Sequence, residues 1–528
     1  MTRSDIDWNR LPMDWVGNWS GRRAALTPAR EALVDVVGGR RWRYAELDAW
    51  ACRLGNWLTD TLGIAPGERV ALIARNVPEA VAVYLACGKL GVVLVPLSHR
   101  LTAGDIAELT ERSGARAVLL DPALGEAPLA GLSAGTAVVP MDAEWEARVG
   151  GASVAECNRP LALEDPFLYV HTGGSTGTPK LCEISHRQMV WNSVELIASS
   201  VDGLGARREL VLFPLYHIGG WNTVTPVFHA GGCVVLLPAF DPAAVLAAIA
   251  AESVNHFGAV ETMLHALSAH ETFAQSDLSS LAAITTAGAP CSDAAMAPFR
   301  ARGVAVGQSY GQTEAGPSNF IHLGREDDPG ALERFSQSVG TSFLHCDYRI
   351  VGESGCALPA GEVGELWLRS PHAFEGYVGD PERSRQVLDA DGWVHTGDLA
   401  RADEGGRVYI VGRVDNMFVS GGENIAPEEI ERVLLAHPRI AQVAVYASPD
   451  AHWGTVPAAV VVASAGASAP DAEALDAWLE GRLARFKRPR RYHVVDELPL
   501  TGAGKIDREA LRRRHGGAAP GFSGAKET

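Results

Sequence analysis

His171-Thr172-Gly173-Gly174-Ser175-Thr176-Gly177-Thr178-Pro179-Lys180 is the stretch on which the reading of this chain turns. Its three glycines let backbone approach an anion closely. Thr172, Ser175, Thr176 and Thr178 add hydroxyl donors, and Lys180 adds a compact positive charge. Together they suit the β- and γ-phosphates of a nucleotide. A Walker A loop puts Gly directly before its Lys and opens a helix. Here Pro179 precedes Lys180, and the flanks 166–170 and 181–184 both read as strands. Nor does the spacing match the dinucleotide fingerprint. The bland alternative is the polar turn of a hairpin, and the density of phosphate-binding groups argues against a turn alone.

Upstream, helix and strand signals alternate. Pro78 can open a helix running to about Leu90, 92–95 is a β-branched strand stopped by Pro96, 102–113 has helical spacing, and 117–120 is a further strand. The same rhythm returns at 209–237 and 254–286, which predicts an α/β domain of layered sheets with helices. Residues 362–369 and 407–411 read as later strands of a β-rich subdomain. The organisation then restarts. A helix begins at Pro427 with Ile430, Val433 and Leu434 on one face, and Ala441, Val443 and Val445 alternate as a half-buried strand. Strand 458–462, a helix marked by Leu475, Trp478, Leu479 and Leu483, and strand 491–495 complete a small α+β unit. The expected division is therefore 1–414, 415–516, and a disordered tail at 517–528.

Composition bounds the partners. The chain has 528 residues, is 47% hydrophobic and carries a formal charge of −17, so its bulk surface repels nucleic acid and anionic membrane. Arginines and Lys487 cluster at 482–491 and 512–514. Most read as solvated surface, and the sharper alternative is a patch for a phosphorylated small molecule. Eight scattered cysteines without CxxC or metal spacing read as buried free thiols of a reducing cytoplasm. The N-terminus has no apolar signal segment, and the apolar run 80–97 is interrupted by Gly88, Lys89 and Gly91, so it reads as a buried helix and strand.

With these motifs in order along almost the whole chain, it resembles the adenylate-forming superfamily of acyl-CoA synthetases, adenylation domains and firefly-type luciferases, and is most similar to the acyl-CoA synthetases. The resemblance implies a large N-terminal domain and a small mobile C-terminal one. It implies that Thr172, Gly174, Ser175, Thr176, Gly177 and Lys180 hold phosphates, and that His217, in Phe213-Pro214-Leu215-Tyr216-His217-Ile218-Gly219-Gly220, gates the carboxylate site. Gly288, Ala289 and Pro290 would contact adenine through backbone. In Tyr310-Gly311-Gln312-Thr313-Glu314, the Tyr would stack on adenine, Thr313 would touch phosphate and Glu314 would help hold Mg²⁺. Asp398 would clamp the ribose diol and Arg413 would sit near ribose and α-phosphate. Asp415 matches the hinge, Gly421 and Gly422 the thiol tunnel, and Lys505 the lysine that bridges attacking carboxylate and leaving phosphate.

The implied reaction uses ATP, Mg²⁺ and CoA: a carboxylate displaces pyrophosphate, then a thiol displaces AMP. Trp221, Asn222, Gly258, Gly288, Ala289 and Gly307 are candidate pocket positions, whose small residues imply room for a bulky aromatic or alicyclic acid. No charged residue there offers to anchor an α-amino group. The chain departs from the family pattern at His171 (usually Tyr), Gly173 (Ser), Glu261 (Pro), Asn416 (Asp) and Phe418 (aliphatic). The last two bear on the hinge, so a ligase working mainly in the thioester half-reaction is one alternative. Loading of a carrier protein is another, and a non-catalytic acyl-adenylate sensor a third. Lys180, Glu314, Asp398 and Lys505, all present, argue against the sensor. A homodimer is the default assembly.

Overall fold

The computed structural model describes residues 6–133, 135–172, 179–199, 204–322, 328, 330–420, 423–450, 452–464, 466–500 and 506–515. Two large sheets form the N-terminal body. One has seven strands, with Arg69–Ile73 and Val93–Pro96 at its centre and the antiparallel pair Pro166–Thr172 and Lys180–Ser185 towards one edge. The other has nine, with a parallel middle of Arg208–Val211, Cys233–Leu236, His256–Ala259, Ala283–Thr286 and Ala305–Gln312.

Between them lies the helix Pro78–Leu90. Pro78 starts it, where the missing N–H is no loss, and Gly91 at φ +68° ends it. All thirteen of its residues are buried, because the core that surrounds it draws side chains from both sheets. This accounts for the long apolar run in the sequence. Lys89 is tolerated there because its ammonium meets Asp48 and Glu156, each at 2.9 Å.

A four-stranded antiparallel sheet, Asp347–Val351, Gly364–Arg369, Val394–Ala402 and Val408–Arg413, forms the β-rich part with its own core. Beyond it, Ile440–Asp450, Gly454–Ala463 and Arg491–Val494 make a three-stranded sheet with the helices Pro427–Leu435 and Ala472–Leu479. The strand expected to be half-buried is buried on both faces from Val443 to Tyr446. Val443 and Val445 face the helices, while Ala444 and Tyr446 pack with Leu498 and Leu511 on the other side. Leu483, expected within the second of these helices, joins that core from beyond its end at Leu479.

Among the described residues no helix is long and apolar enough to cross a membrane. The cysteines are all free, but not all buried as expected: Cys157 is half-buried and Cys356 exposed, each lying in a connecting segment. The tail 517–528 lies outside the described residues.

Candidate active site

The hairpin sets the first edge of the site. Thr172 pairs with Lys180 across it. Gly173, Gly174, Ser175, Thr176, Gly177 and Thr178 between them lie outside the described residues. The Lys180 ammonium sits 5.0 Å from the Tyr377 ring centroid, and the Tyr377 hydroxyl donates to Glu314 Oε1 at 2.8 Å. Burial, then the charge of Arg383, holds the Lys180 pKa below the usual lysine value, with Glu314 acting in the opposite sense. A cation, a ring and a carboxylate thus line one edge, where Gly376–Tyr377 pairs with the Lys180 strand.

The second edge centres on Asp398, 7% exposed. Its Oδ2 accepts from the Tyr310 hydroxyl and from Gln312 Nε2, each at 2.5 Å, and its Oδ1 accepts from Arg413 Nη1 at 2.7 Å. The strands dictate this. Asp398 and Arg413 are register partners, and Tyr310 and Gln312 are two residues apart on one strand, so their side chains share a face. Three donors leave this carboxylate about one acceptor position of four for a ribose hydroxyl. Gly311 permits the tight packing, since a Cβ there would lie 2.3 Å from the Pro317 carbonyl oxygen. The Thr313 carbonyl accepts from Gln188 at 3.0 Å. The turn of Gly288, Ala289 and Pro290 is exposed, with Gly288 at φ +84°. Buried Gln308 holds the turn's far end by accepting from Cys291 N at 2.9 Å.

His217 precedes the helix Ile218–Ala230, with its ring 5.9 Å from that of His171 and 4.8 Å from that of Tyr216. His171 Nε2 accepts from Ser98 N at 3.2 Å, and burial, reinforced by His217, lowers its pKa to about 4. The imidazole is therefore neutral near pH 7 and acts as an acceptor.

Several expected pocket positions prove to be packing positions. Trp221 has no exposed surface and stacks on Tyr84 at 4.2 Å, inside the core. A Cβ on Gly307 would meet the His322 carbonyl oxygen at 2.1 Å, so the space beside it is filled by backbone. At Gly258 the corresponding space is filled by the Phe213 ring, which would lie 2.4 Å from a Cβ at that position. The accessible face of the helix after His217 is instead Gly219, Asn222 and Thr223. Asn222 donates to Ser318 Oγ at 2.9 Å and accepts from the buried Asn192. Gly219 and Thr223 share Asn222's face at helical spacing, a signal that was present in the sequence.

At the expected hinge, exposed Asp415 lies 3.7 Å from Arg413. Asn416 Nδ2 donates to Glu428 Oε1 at 2.6 Å, at the start of the helix Pro427–Leu435. An Asp in place of Asn416 would set two carboxylates against each other. Gly421, Gly422 and Lys505 lie outside the described residues, although Leu500 and Ile506 pair antiparallel on either side of the Lys505 stretch.

Family models match the chain twice, as AMP-binding enzyme over residues 21–378 and as AMP-binding enzyme C-terminal domain over 429–505. Feruloyl-CoA synthase of Amycolatopsis sp. is 38% identical over 502 residues, which cover 95% of this chain and 99% of that protein. Indoleacetate–CoA ligase of Aromatoleum aromaticum is 33% identical over 511 residues, covering 94% and 98%. The solved structure of O-succinylbenzoate coenzyme A synthetase from Bacillus subtilis with ATP and magnesium matches at a TM-score of 0.82 and 28% identity, covering 94% of this chain and 99% of that one.

Proposed function

This chain belongs to the AMP-binding enzyme family and is an AMP-forming acyl-CoA synthetase, and from that premise we propose that it joins a ring-bearing carboxylic acid to CoA through an acyl-adenylate. The observation that carries the reading is the Asp398 carboxylate, held by Tyr310, Gln312 and Arg413, together with the hairpin whose second strand begins at Lys180. In the proposed first step the acid's carboxylate attacks the α-phosphorus of ATP and pyrophosphate leaves. Asp398 and Arg413 position ribose and α-phosphate, while Lys180 and the hydroxyls of 172–178 hold the outer phosphates. Lys505 bridges attacking and leaving oxygens. These groups act by position and charge, as such displacements require.

Mg²⁺ fits the donor set. Glu314 is a half-buried carboxylate whose Oε1 is oriented by Tyr377, and a hard cation takes one such oxygen together with phosphate oxygens. When bound, the ion supplies neutralisation of phosphate charge. In the second step the CoA thiol attacks the anhydride and AMP departs. We divide the chain at Asp415 and assign residues 415–516 as the part that rotates, withdrawing Lys505 and presenting Gly421 and Gly422 to pantetheine.

Relatives named for feruloyl and indoleacetate substrates support a ring-bearing acid. So does half-buried Asn222, bonded to buried Ser318, whose amide can bond a ring substituent beside the apolar packing. The test runs ATP–pyrophosphate exchange over aromatic, alicyclic and aliphatic acids, alongside preformed acyl-adenylates with CoA. Exchange with ring-bearing acids and thioester in both formats is expected. Exchange without transfer to CoA would redirect the reading to a carrier-protein thiol, and thioester without exchange to a ligase of preformed adenylates.

A further inference from the structure

Away from the nucleotide site, the helix Tyr44–Leu62 and the segment 151–165 bring a second set of reactive groups together. The sulfurs of Cys52 and Cys157 and a Glu156 carboxylate oxygen all lie within 4.8 Å of one another. Gly55, one turn along the helix from Cys52, leaves the room: a Cβ there would stand 2.6 Å from Cys157 Sγ. The fully buried Lys89 ammonium lies beneath, donating to Glu156 Oε1 at 2.9 Å and to Asn18 Oδ1 at 2.7 Å. The Cys52 thiol donates to Glu156 Oε1 at 3.8 Å, with the Cys157 sulfur beside it. A hydrogen bond from Cys157, with the Lys89 charge behind it, holds the Cys52 thiol below its usual range against burial and the nearby Asp48 and Glu156 carboxylates.

A divalent cation would compete with Lys89 for Glu156 and be repelled by it. A thiolate gains from the same charge. We propose that Cys52 and Cys157 form an oxidant-sensitive pair, which a peroxide closes into a disulfide that staples segment 151–165 to the helix Tyr44–Leu62. The Cys52 thiolate attacks one oxygen of hydrogen peroxide; the O–O bond breaks, the departing hydroxide takes a proton to become water, and Cys52 becomes a sulfenic acid. The Cys157 sulfur then attacks Cys52 sulfur; the S–O bond breaks, the S–S bond forms, and a second water leaves with the Cys157 proton. Two thiols are oxidised by two electrons, and the peroxide is reduced by two.

The segment is already seated for this. Asn56 on the helix donates to the carbonyls of Ser153 and Ala155 at 2.8 and 2.9 Å. The same segment runs directly into the strand Pro166–Thr172 that carries the hairpin of the nucleotide site. A disulfide here closes a long loop of the unfolded chain, so oxidation stabilises the fold.

The experiment uses the full chain with the exposed thiol removed by Cys356→Ser, leaving seven of the eight cysteines. It is treated with hydrogen peroxide, alkylated in denaturant, and mapped by mass spectrometry, with the unsubstituted chain mapped in parallel. The expected result is a fall from seven alkylatable thiols to five and a linked peptide pair carrying Cys52 and Cys157. Dithiothreitol should reverse both, and the thermal midpoint should rise on oxidation and return on reduction. Seven remaining thiols, a link between other cysteines, over-oxidation of Cys52 without a link, or protection of both thiols by Zn²⁺ would each overturn the proposal.

Discussion

The proposed nucleotide side and the proposed acyl side of this site are built on different terms. On the nucleotide side, polar groups from strands of two different sheets converge on one carboxylate, so that Tyr310, Gln312 and Arg413 all bond Asp398. On the acyl side, shape rules. Gly258 and Gly307 exist for Phe213 and the His322 backbone to pass, and Trp221 is core. Chemistry carried by polar motifs is thus local and strict, whereas a pocket's volume is set by whatever packs behind it.

Replacing Asp398 by Ala should produce the largest effect. It leaves Arg413, Tyr310 and Gln312 without their shared acceptor, and ATP–pyrophosphate exchange should fall by about 10²–10³-fold. If exchange barely changes while substrate preference shifts, the division between the two sides is wrong.

Asn416→Asp comes next. It sets a second carboxylate against Glu428 and should change the ratio of adenylation to thioester formation by about tenfold, roughly the effect of 1.4 kcal/mol. Adding Glu428→Gln should restore the ratio, and failure of that rescue would show that this contact does not set the balance.

A pair of substitutions separates shape from recognition on the acyl side. Gly307→Ala drives a methyl into the His322 carbonyl and should lower stability by about 1–3 kcal/mol without altering which acids are preferred. Asn222→Ala should do the reverse, changing relative kcat/KM among ring-substituted acids by about tenfold at nearly constant melting temperature. Parallel effects of the two would contradict the assignment.

The last effect is on stability rather than turnover, and concerns pH. His171 has a folded pKa of about 4, below its unfolded value of about 6.5. Its contribution to stability is therefore complete above about 6.5 and lost as pH falls towards 4, because the unfolded chain binds the extra proton. Chemical denaturation should show a shallower acid loss in His171→Tyr over that window.

Much of the fold was legible because its elements declare themselves locally. Pro78 and Gly91 bracket a helix, and the strands around 171–180 carry β-branched and aromatic residues. Gln312 could have been found too, since it lies two residues from Tyr310 on a strand and must share its face. Tyr377 could not. It reaches Glu314 only because a two-residue strand adds to the sheet edge beside Lys180. The pocket glycines misled for a related reason. Sequence shows that a side chain is missing, while only the assembled neighbours show what occupies the space. The strand Ile440–Asp450 makes the same point, with its second buried face created by Leu498 and Leu511 far along the chain.

At the centre of the proposed mechanism, the acid's own oxygen attacks the α-phosphorus of ATP. The decisive experiment supplies a ring-bearing acid labelled with ¹⁸O in its carboxylate, together with ATP, Mg²⁺ and CoA, and reads the products by mass spectrometry. The mechanism requires one labelled oxygen in AMP and none in pyrophosphate. Thioester formed with unlabelled AMP, or label in pyrophosphate or phosphate, would contradict it.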